Sequence, residues 1–302
     1  MNPSASESLV LGASSQVGWF VLPRLLAAGF RVTAVSREPA PPAYPELDRL
    51  QWTTPDEVRP RLGAYSQLVS AAPLSLALDY AQAMPALQML AVTSSSSVVS
   101  KANSPDEAEQ RVSETLRGAE EGLGRLARQR RLPLLILRPT LIYGCGMDRN
   151  LTRIASLIQR FGVVPLSTRA GGLRQPIHAD DVAQALVAGL VAREPRELIS
   201  PLCGGDTVDY RGMVRRVFTA LGRPPRLLAL PPGLLAALLS LLGRLPGGFE
   251  ASAEMVHRQA VNLVFDDRPA REVLGVRPRR FHPDAGAFRA PDAEQLRRLS
   301  EG

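Results

Sequence analysis

The sequence predicts an α/β protein: a doubly wound parallel sheet followed by a smaller, mainly helical C-terminal region. Three observations carry that expectation. Short apolar runs alternate with longer helical patterns over the first two thirds of the chain. The first run turns through a loop of small residues directly into a helix, and the alternation changes character after Gly144. With about 150 residues per domain as a guide, the 302 residues divide into a first unit over 1–205 and a second over 206–302.

The elements follow in order. Ser8–Leu11, Arg31–Ser36, Gln67–Ala71, Met89–Ser94 and Leu134–Arg138 are short and apolar, as strands buried on both faces are. Between them Gln16–Ala28, Leu74–Leu87 and Pro105–Arg130 carry helical spacing, so the strands are parallel and helices cover both faces of the sheet. Pro23 falls inside the first helix, where it removes the bond to Trp19 and predicts a kink. Glu38–Pro60 holds six prolines and reads as a long connection with one edge strand at Leu50–Thr53. Beyond Gly144 come a helix at Asn150–Arg160, a short strand at Gly162–Leu166 and a helix at Asp180–Val191, with Asp180 as its cap. From Tyr210 onward helices alternate with proline-rich links, ending at Ala293–Arg298.

Composition excludes several functions. A hydrophobic fraction of 45% with 22% charged residues rules out disordered and fibrous classes. The net charge of +7 is carried by arginine, since Lys101 is the only lysine among 36 basic residues. The arginine runs sit beside Glu and Asp and lack interleaved aromatics, which is a solvated face and not a nucleic-acid footprint. The most apolar stretch, Leu234–Leu245, is 12 residues long and contains Arg244; a membrane span needs about 20. No signal-peptide pattern opens the chain. Three histidines and two separated cysteines, Cys145 and Cys203, supply neither a zinc site nor a disulfide framework. The expected compartment is therefore reducing, the cytoplasm.

Chemistry concentrates first in Leu9-Val-Leu-Gly12-Ala-Ser14-Ser15-Gln16-Val17-Gly18. A strand–loop–helix turn of small residues aims backbone N–H groups and a helix N-terminus at an anion, here a dinucleotide pyrophosphate. Gly12 permits the tight turn and Gly18 lets the helix approach the sheet, while Ser15 stands where glycine would give the closest phosphate approach. The second strand ends Val35-Ser36-Arg37 instead of in an acidic residue. A hydroxyl followed by a guanidinium suits a 2′-phosphate, so NADP is favoured over NAD.

Together with later segments, these residues resemble the short-chain dehydrogenase/reductase superfamily, in particular its extended branch of NAD-dependent epimerases and dehydratases. Ser70-Ala71-Ala72-Pro73 is similar to the strand end that lines the cofactor. Thr93-Ser-Ser-Ser96-Ser-Val98 resembles the Ser/Thr-rich strand end before the active site. Arg138-Pro139-Thr-Leu-Ile-Tyr143-Gly144 resembles RPxxxYG, and Arg174-Gln-Pro-Ile-His178-Ala-Asp-Asp181-Val resembles the arginine-plus-HxxD segment. Cys203-Gly-Gly-Asp206 and Asp267-x-x-Ala270 with Leu274-Gly275 are similar to the substrate region. The resemblance implies a Rossmann fold with the cofactor along Gly12–Gly18, Ser36, Arg37, Ala71, Ala72, Pro73 and Pro139. It implies that Ser96 hydrogen-bonds the reacting oxygen of a small-molecule substrate, that Arg174 clamps a phosphate, and that Tyr143 packs on the nicotinamide side. Each has a plainer reading: a strand-end hydroxyl, a surface charge beside Gly171-Gly172, and a core aromatic. His178 and Asp181 read as structural.

One part of the pattern is missing. The acid/base of that family is a tyrosine four residues before a lysine, yet the positions four after the five tyrosines hold Asp48, Val69, Met84, Met147 and Val214. Counting back from Glu121 places Ser113 and Arg117 at the pair; counting from Glu120 places Val112 and Leu116 there. Lys101 would serve as a stand-in acid if buried beside the nicotinamide, whereas the burial habits of lysine favour an exposed loop. Three readings follow. The first is an enzyme on a nucleotide sugar or a smaller hydroxyl or carbonyl compound, with an altered acid/base. The second is a silent NADP-binding sensor, regulator or assembly protein. The third is a fold relic that binds another protein. The helix over Pro105–Arg130 suits a homodimer contact as well as packing on the sheet.

Overall fold

In the computed structural model, residues 7–41, 44–192, 197–243 and 253–301 are described. Seven parallel strands form the central sheet: β1 (Glu7–Leu11), β2 (Arg31–Val35), β3 (Leu50–Thr53), β4 (Gln67–Ser70), β5 (Met89–Thr93), β6 (Leu134–Pro139) and β11 (Glu197–Leu202). Their spatial order is β11-β6-β5-β4-β1-β2-β3, so the chain reverses its direction of travel at β1 and β4. That switch point opens a crevice at the carboxyl ends of the two strands, where open α/β sheets take ligands. Helices α1 (Gly18–Ala27), α7 (Ala179–Ala192) and α12 (Ala293–Glu301) pack together on one face around Phe20, Leu22, Leu186 and Leu296. On the other face, α3 (Leu74–Ala83) and α5 (Glu107–Arg130) bury Leu74, Tyr80 and Leu123.

All five expected inner strands and the Leu50–Thr53 edge strand form, and small shifts mark their ends. The helix after β4 stops at Ala83 instead of Leu87, because Pro85 disfavours helical geometry at Met84. Pro23 lies inside α1 and is buried there. Thr54 starts α2 (Pro55–Val58) with a capping box to Glu57. Strand β11 escaped the sequence pattern: Pro201 interrupts it, and proline is tolerated because β11 is an edge strand paired with β6 alone.

The second lobe is interleaved with the first and is not confined to 206–302. Three strand pairs build it: β7 (Ile142–Tyr143) with β10 (Ile177–His178), β9 (Leu173–Arg174) with β12 (Val208–Asp209), and β8 (Val164–Ser167) with β13 (Leu227–Leu230). With α6 (Leu151–Phe161) and α8 (Tyr210–Ala220) they enclose a separate core of Tyr143, Ile154, Ile158, Phe218 and Phe281. Meanwhile α11 (Arg268–Leu274) and α12 return to the first core through Ala270 and Leu296. Helix α9 (Pro232–Gly243) buries Leu235 and Leu239 against Val256 of α10 (Ala253–Arg258) and leaves Leu234 56% exposed. Leu245 and Arg244 of the expected apolar stretch lie outside the described residues, as do 42–43 of the proline-rich connection and the first six residues. No described helix is long and apolar enough to cross a membrane.

Charged side chains lock the lobes together. Asp180 accepts from Arg24 Nε of α1 at 2.5 Å and from Arg279 Nη2 at 2.7 Å, and Arg279 also donates to Asp181 at 2.9 Å. Asp180 is thus a first-turn residue of α7 engaged with two arginines, and not the expected helix cap. Burial works against its charge, but the two guanidiniums win and hold its carboxyl below the ordinary range.

Candidate functional site

The β1–α1 loop is shaped by what it cannot accommodate. Gly12 has φ +71°, and a Cβ there would lie 2.7 Å from the Ala71 and Ala72 backbone. A Cβ on Gly18 would lie 2.2 Å from the Gly12 carbonyl oxygen. Both glycines therefore hold β1, α1 and the end of β4 in one tight junction. Ala71 N–H donates to the Leu11 carbonyl at 3.0 Å and Ala72 N–H to Ser70 Oγ at 3.2 Å, which places the Ala71-Ala72-Pro73 strand end alongside the loop. Ser15 Oγ accepts from Gly18 N–H at 3.1 Å, so the residue in the middle glycine position satisfies the first N–H of α1 from within the loop. Ser36, buried at the tip of β2, donates to Ser14 Oγ at 3.2 Å and accepts from Glu38 N–H, while Arg37 beside it is exposed.

Two side-chain atoms in this region are buried without a partner: Gln16 Nε2, on the loop, and Ser94 Oγ, at the end of β5. A buried donor or hydroxyl left unpaired costs about 1–3 kcal/mol. Such groups, beside a loop too narrow for a Cβ, fit a polar ligand running from β1 toward β5, as a dinucleotide does. The loop residues, Ser36 and Arg37 are the ones that would hold it.

Next to that path lies a cavity of about 520 Å³ between the strand ends and the second lobe. Its wall gathers Gln16, Ser96, Lys101, Thr140, Arg174 and Tyr210 from five separate segments. Ser96 begins α4 (Ser97–Ser100); its N–H donates to the Pro139 carbonyl at 3.1 Å and its hydroxyl caps nothing. This ties the serine run to the end of β6, and Pro139 serves as its anchor.

Lys101 is not an exposed loop lysine. Its side chain is 18% exposed on the cavity wall, with Nζ 2.9 Å from Glu109 Oε1. Glu109, on the first turn of α5, is also met by Arg258 Nη1 at 2.9 Å and by the Ser104 hydroxyl at 3.0 Å. Burial alone would raise the Glu109 carboxyl; Lys101, Ser104 and Arg258 outweigh it and hold it below the usual carboxylate range.

Arg174 is 4% exposed, which excludes a surface charge beside Gly171-Gly172. Its fork is already spent: Nη1 donates to the Leu173 and Val261 carbonyls at 2.7 and 2.6 Å, and Nη2 to the Arg258 carbonyl. Its guanidinium carbon stands 5.5 Å from the centre of the Tyr210 ring. Backbone carbonyls and an aromatic ring surround this buried cation. The expected bidentate clamp is therefore corrected to a fixed positive charge at the cavity wall, and Arg149 and Arg258 add two more.

Tyr143 is elsewhere. It is 1% exposed, packed edge-on against His178 and Phe281 with ring centroids 5.1 and 5.0 Å away, and absent from the cavity wall. Burial drives its phenol far above the ordinary tyrosine range. It is a core residue, and a nicotinamide contact is corrected accordingly. His178 is structural as expected: Nδ1 accepts from Asp180 N–H at 3.1 Å, and burial lowers its pKa to about 4. Burial also pushes the Cys145 and Cys203 thiols up to about 12, so neither is a nucleophile at neutral pH. No group of described side chains could hold a metal ion.

On α5, Glu120 is the buried glutamate and binds Arg138 Nε at 2.9 Å. That selects the register with Val112 and Leu116 at the tyrosine and lysine positions; Val112 is 43% exposed and neither lines the cavity. In the other register, the Ser113 hydroxyl is consumed by the Val98 carbonyl at 2.7 Å and Arg117 is exposed. Sequence reasoning missed Arg258 and Tyr210, which line the cavity, and Glu109, which joins Arg258 to Lys101 beside it; none of the three belongs to a motif.

No family profile matches the chain. Over 160 residues it is 24% identical to a UDP-glucose 4-epimerase of Vibrio cholerae, spanning 53% of this chain and 46% of that protein. The chain thus matches about half the length of that curated relative. Its fold is similar over nearly its whole length to MoeE5 in complex with UDP-glucuronic acid and NAD, at 20% identity and a TM-score of 0.70, covering 97% of this chain and 99% of the other. The UDP-glucose 4-epimerase of Thermotoga maritima with UDP-glucose is similar at 13% identity and TM-score 0.68 over 97% and 99%. The UDP-N-acetylglucosamine 4-epimerase of Bacillus cereus is similar at 14% and 0.66 over 98% and 96%. The chain has the Rossmann-like α/β fold of these proteins, as the motifs implied.

Proposed function

We propose that the chain is an NADP-binding, epimerase-like oxidoreductase acting on a nucleotide sugar, with an acid/base unlike the usual tyrosine and lysine. The observation that carries this reading is the shared wall. Gln16, from the loop suited to the dinucleotide, lines the same cavity as Ser96, Lys101 and Arg174. A nicotinamide dinucleotide, when bound, supplies reversible hydride exchange with a carbon that bears a hydroxyl. The chain's own residues do the rest. Gly12 and Gly18 let the backbone approach a pyrophosphate, Ser36 and Arg37 receive a 2′-phosphate, and Ser96 directs its hydroxyl to the reacting oxygen. Arg174, Arg149 and Arg258 supply the positive field for a diphosphate. The solved proteins of the same fold that hold UDP-sugars, two of them with NAD, support the substrate class.

The test is proton NMR of UDP-glucose incubated with the protein and NADP or NAD. Conversion of the sugar is expected, with a half-saturating concentration raised tenfold or more by Arg174→Ala. A folded protein that neither binds nor converts UDP-sugars overturns the substrate class. A silent NADP sensor is the second reading, favoured by the α5 positions that offer no phenol; binding of NADP without conversion of any nucleotide sugar selects it.

A further inference from the structure

The vacant α5 positions raise the question of which groups handle the proton. Ser97 is the hydroxyl four residues before the only lysine, so Ser97-x-x-x-Lys101 reproduces, with serine for tyrosine, the one-turn spacing absent from α5. The two residues are close on the fold and not merely in the sequence. Lys101 N–H donates to the Ser97 carbonyl at 3.1 Å, which closes one helical turn. Residues four apart lie on one helix face, and both line the cavity with Ser96 and Ser100. The turn is fixed at both ends: Ser97 N–H donates to Ser95 Oγ at 3.1 Å, and Lys101 is held by Glu109.

We propose that Ser97 and Lys101 form the proton-transfer pair of this chain, moved from α5 to α4, with Glu109 as the residue that positions the ammonium. This rests on the reading that the cavity takes substrate beside a nicotinamide dinucleotide. When a substrate carbonyl is reduced, its oxygen gains the Ser97 hydroxyl proton as the carbon gains hydride. The Ser97 oxygen is refilled from the Lys101 ammonium, and the resulting amine recovers a proton from water through its exposed edge. Oxidation of a hydroxyl runs the same relay backwards. Glu109 balances the ammonium between turnovers, and Arg258 shares the same carboxylate oxygen at 2.9 Å, so the relay is anchored to both lobes.

A single lysine makes the test direct, because lysine-specific nitrogen-15 labelling of the full chain reports Lys101 alone. The side-chain signal is followed while NADPH is added, with calorimetry on the same samples. The expected result is a Lys101 signal that moves on NADPH binding and moves differently with NADP. Ser97→Ala is expected to keep the affinity within about twofold while shrinking that response by at least half. NADPH bound with an unmoved Lys101 signal overturns the pair and leaves the dinucleotide reading standing. A folded protein that binds no dinucleotide overturns the reading and the pair with it. Lys101→Arg separates charge from proton delivery, since arginine keeps the ion pair but cannot give up its proton. UDP-glucose conversion at least 100-fold lower with unchanged NADPH affinity is expected, and conversion equal to the parent protein overturns the relay.

Discussion

At the scale of single residues, the constraint on the β1–α1 loop is steric. Gly18→Ala would bring a methyl to 2.2 Å from the Gly12 carbonyl, where only backbone can yield. Forcing extra volume into such a junction costs about 1–3 kcal/mol. The expected outcome is a chain that still folds in urea titrations, with a lower midpoint and NADPH affinity reduced at least tenfold by calorimetry. Unchanged affinity in a folded Gly18→Ala protein would dissociate the loop from the nucleotide. Those glycines were legible in the sequence because a missing side chain declares itself locally. The roles of Tyr143 and Lys101 were not. Tyr143 lies on β7 and Lys101 just after α4, and which of them faces the cavity is decided by Phe281 and Glu109, residues 138 and 8 positions away in the chain.

Among elements, the start of α7 joins the two lobes and makes them sensitive to acid. His178 precedes the helix, neutral and packed between Phe20 and Tyr143. An unfolded histidine takes up a proton near pH 6.5, whereas the folded one does so near pH 4, because burial disfavours its charge. Between those values the unfolded chain binds more protons, so stability is lost as pH falls through 6.5 toward 4. The loss amounts to on the order of 3 kcal/mol at most. Thermal unfolding across that range checks it: His178→Gln should flatten the slope, and an unaltered slope would assign the acid sensitivity to other groups. Two residues on, Asp180 binds Arg24 of α1 and Arg279, which follows α11. Asp180→Asn leaves two partly exposed arginines facing a neutral amide, and losing charge-assisted hydrogen bonds of that kind costs about 1–3 kcal/mol. Urea unfolding at neutral pH measures that loss; a change below about 1 kcal/mol would mean that water already screens the cluster. The sequence placed Asp180 at this helix start but assigned it a cap, since a cap is a local pattern and Arg279 lies 99 residues away. Strand β11 was hidden for the opposite reason: Pro201 breaks the local pattern, and only its edge position makes the strand permissible.

Over the whole molecule, the parallel direction of the first six central strands was readable because βαβ alternation admits few topologies, whereas their spatial order and β11 were not. The division into lobes was not. Residues 142–178 cross into the second lobe, and α11 and α12 cross back, so each lobe is completed by chain that the linear order assigns to the other. The cavity is a product of that exchange, since its wall draws Ser96 and Lys101 from one lobe and Arg174, Tyr210 and Arg258 from the other. The proposed chemistry requires a nicotinamide dinucleotide seated along the β1–α1 loop. Calorimetric titration of the folded protein with NADPH and NADH, beside Arg37→Ala, tests it most directly. NADPH is expected to bind more tightly than NADH, with Arg37→Ala weakening NADPH by about tenfold, as the loss of a charge-assisted hydrogen bond does, and leaving NADH unchanged. Heat of binding from neither nucleotide, in protein shown to be folded, would contradict it.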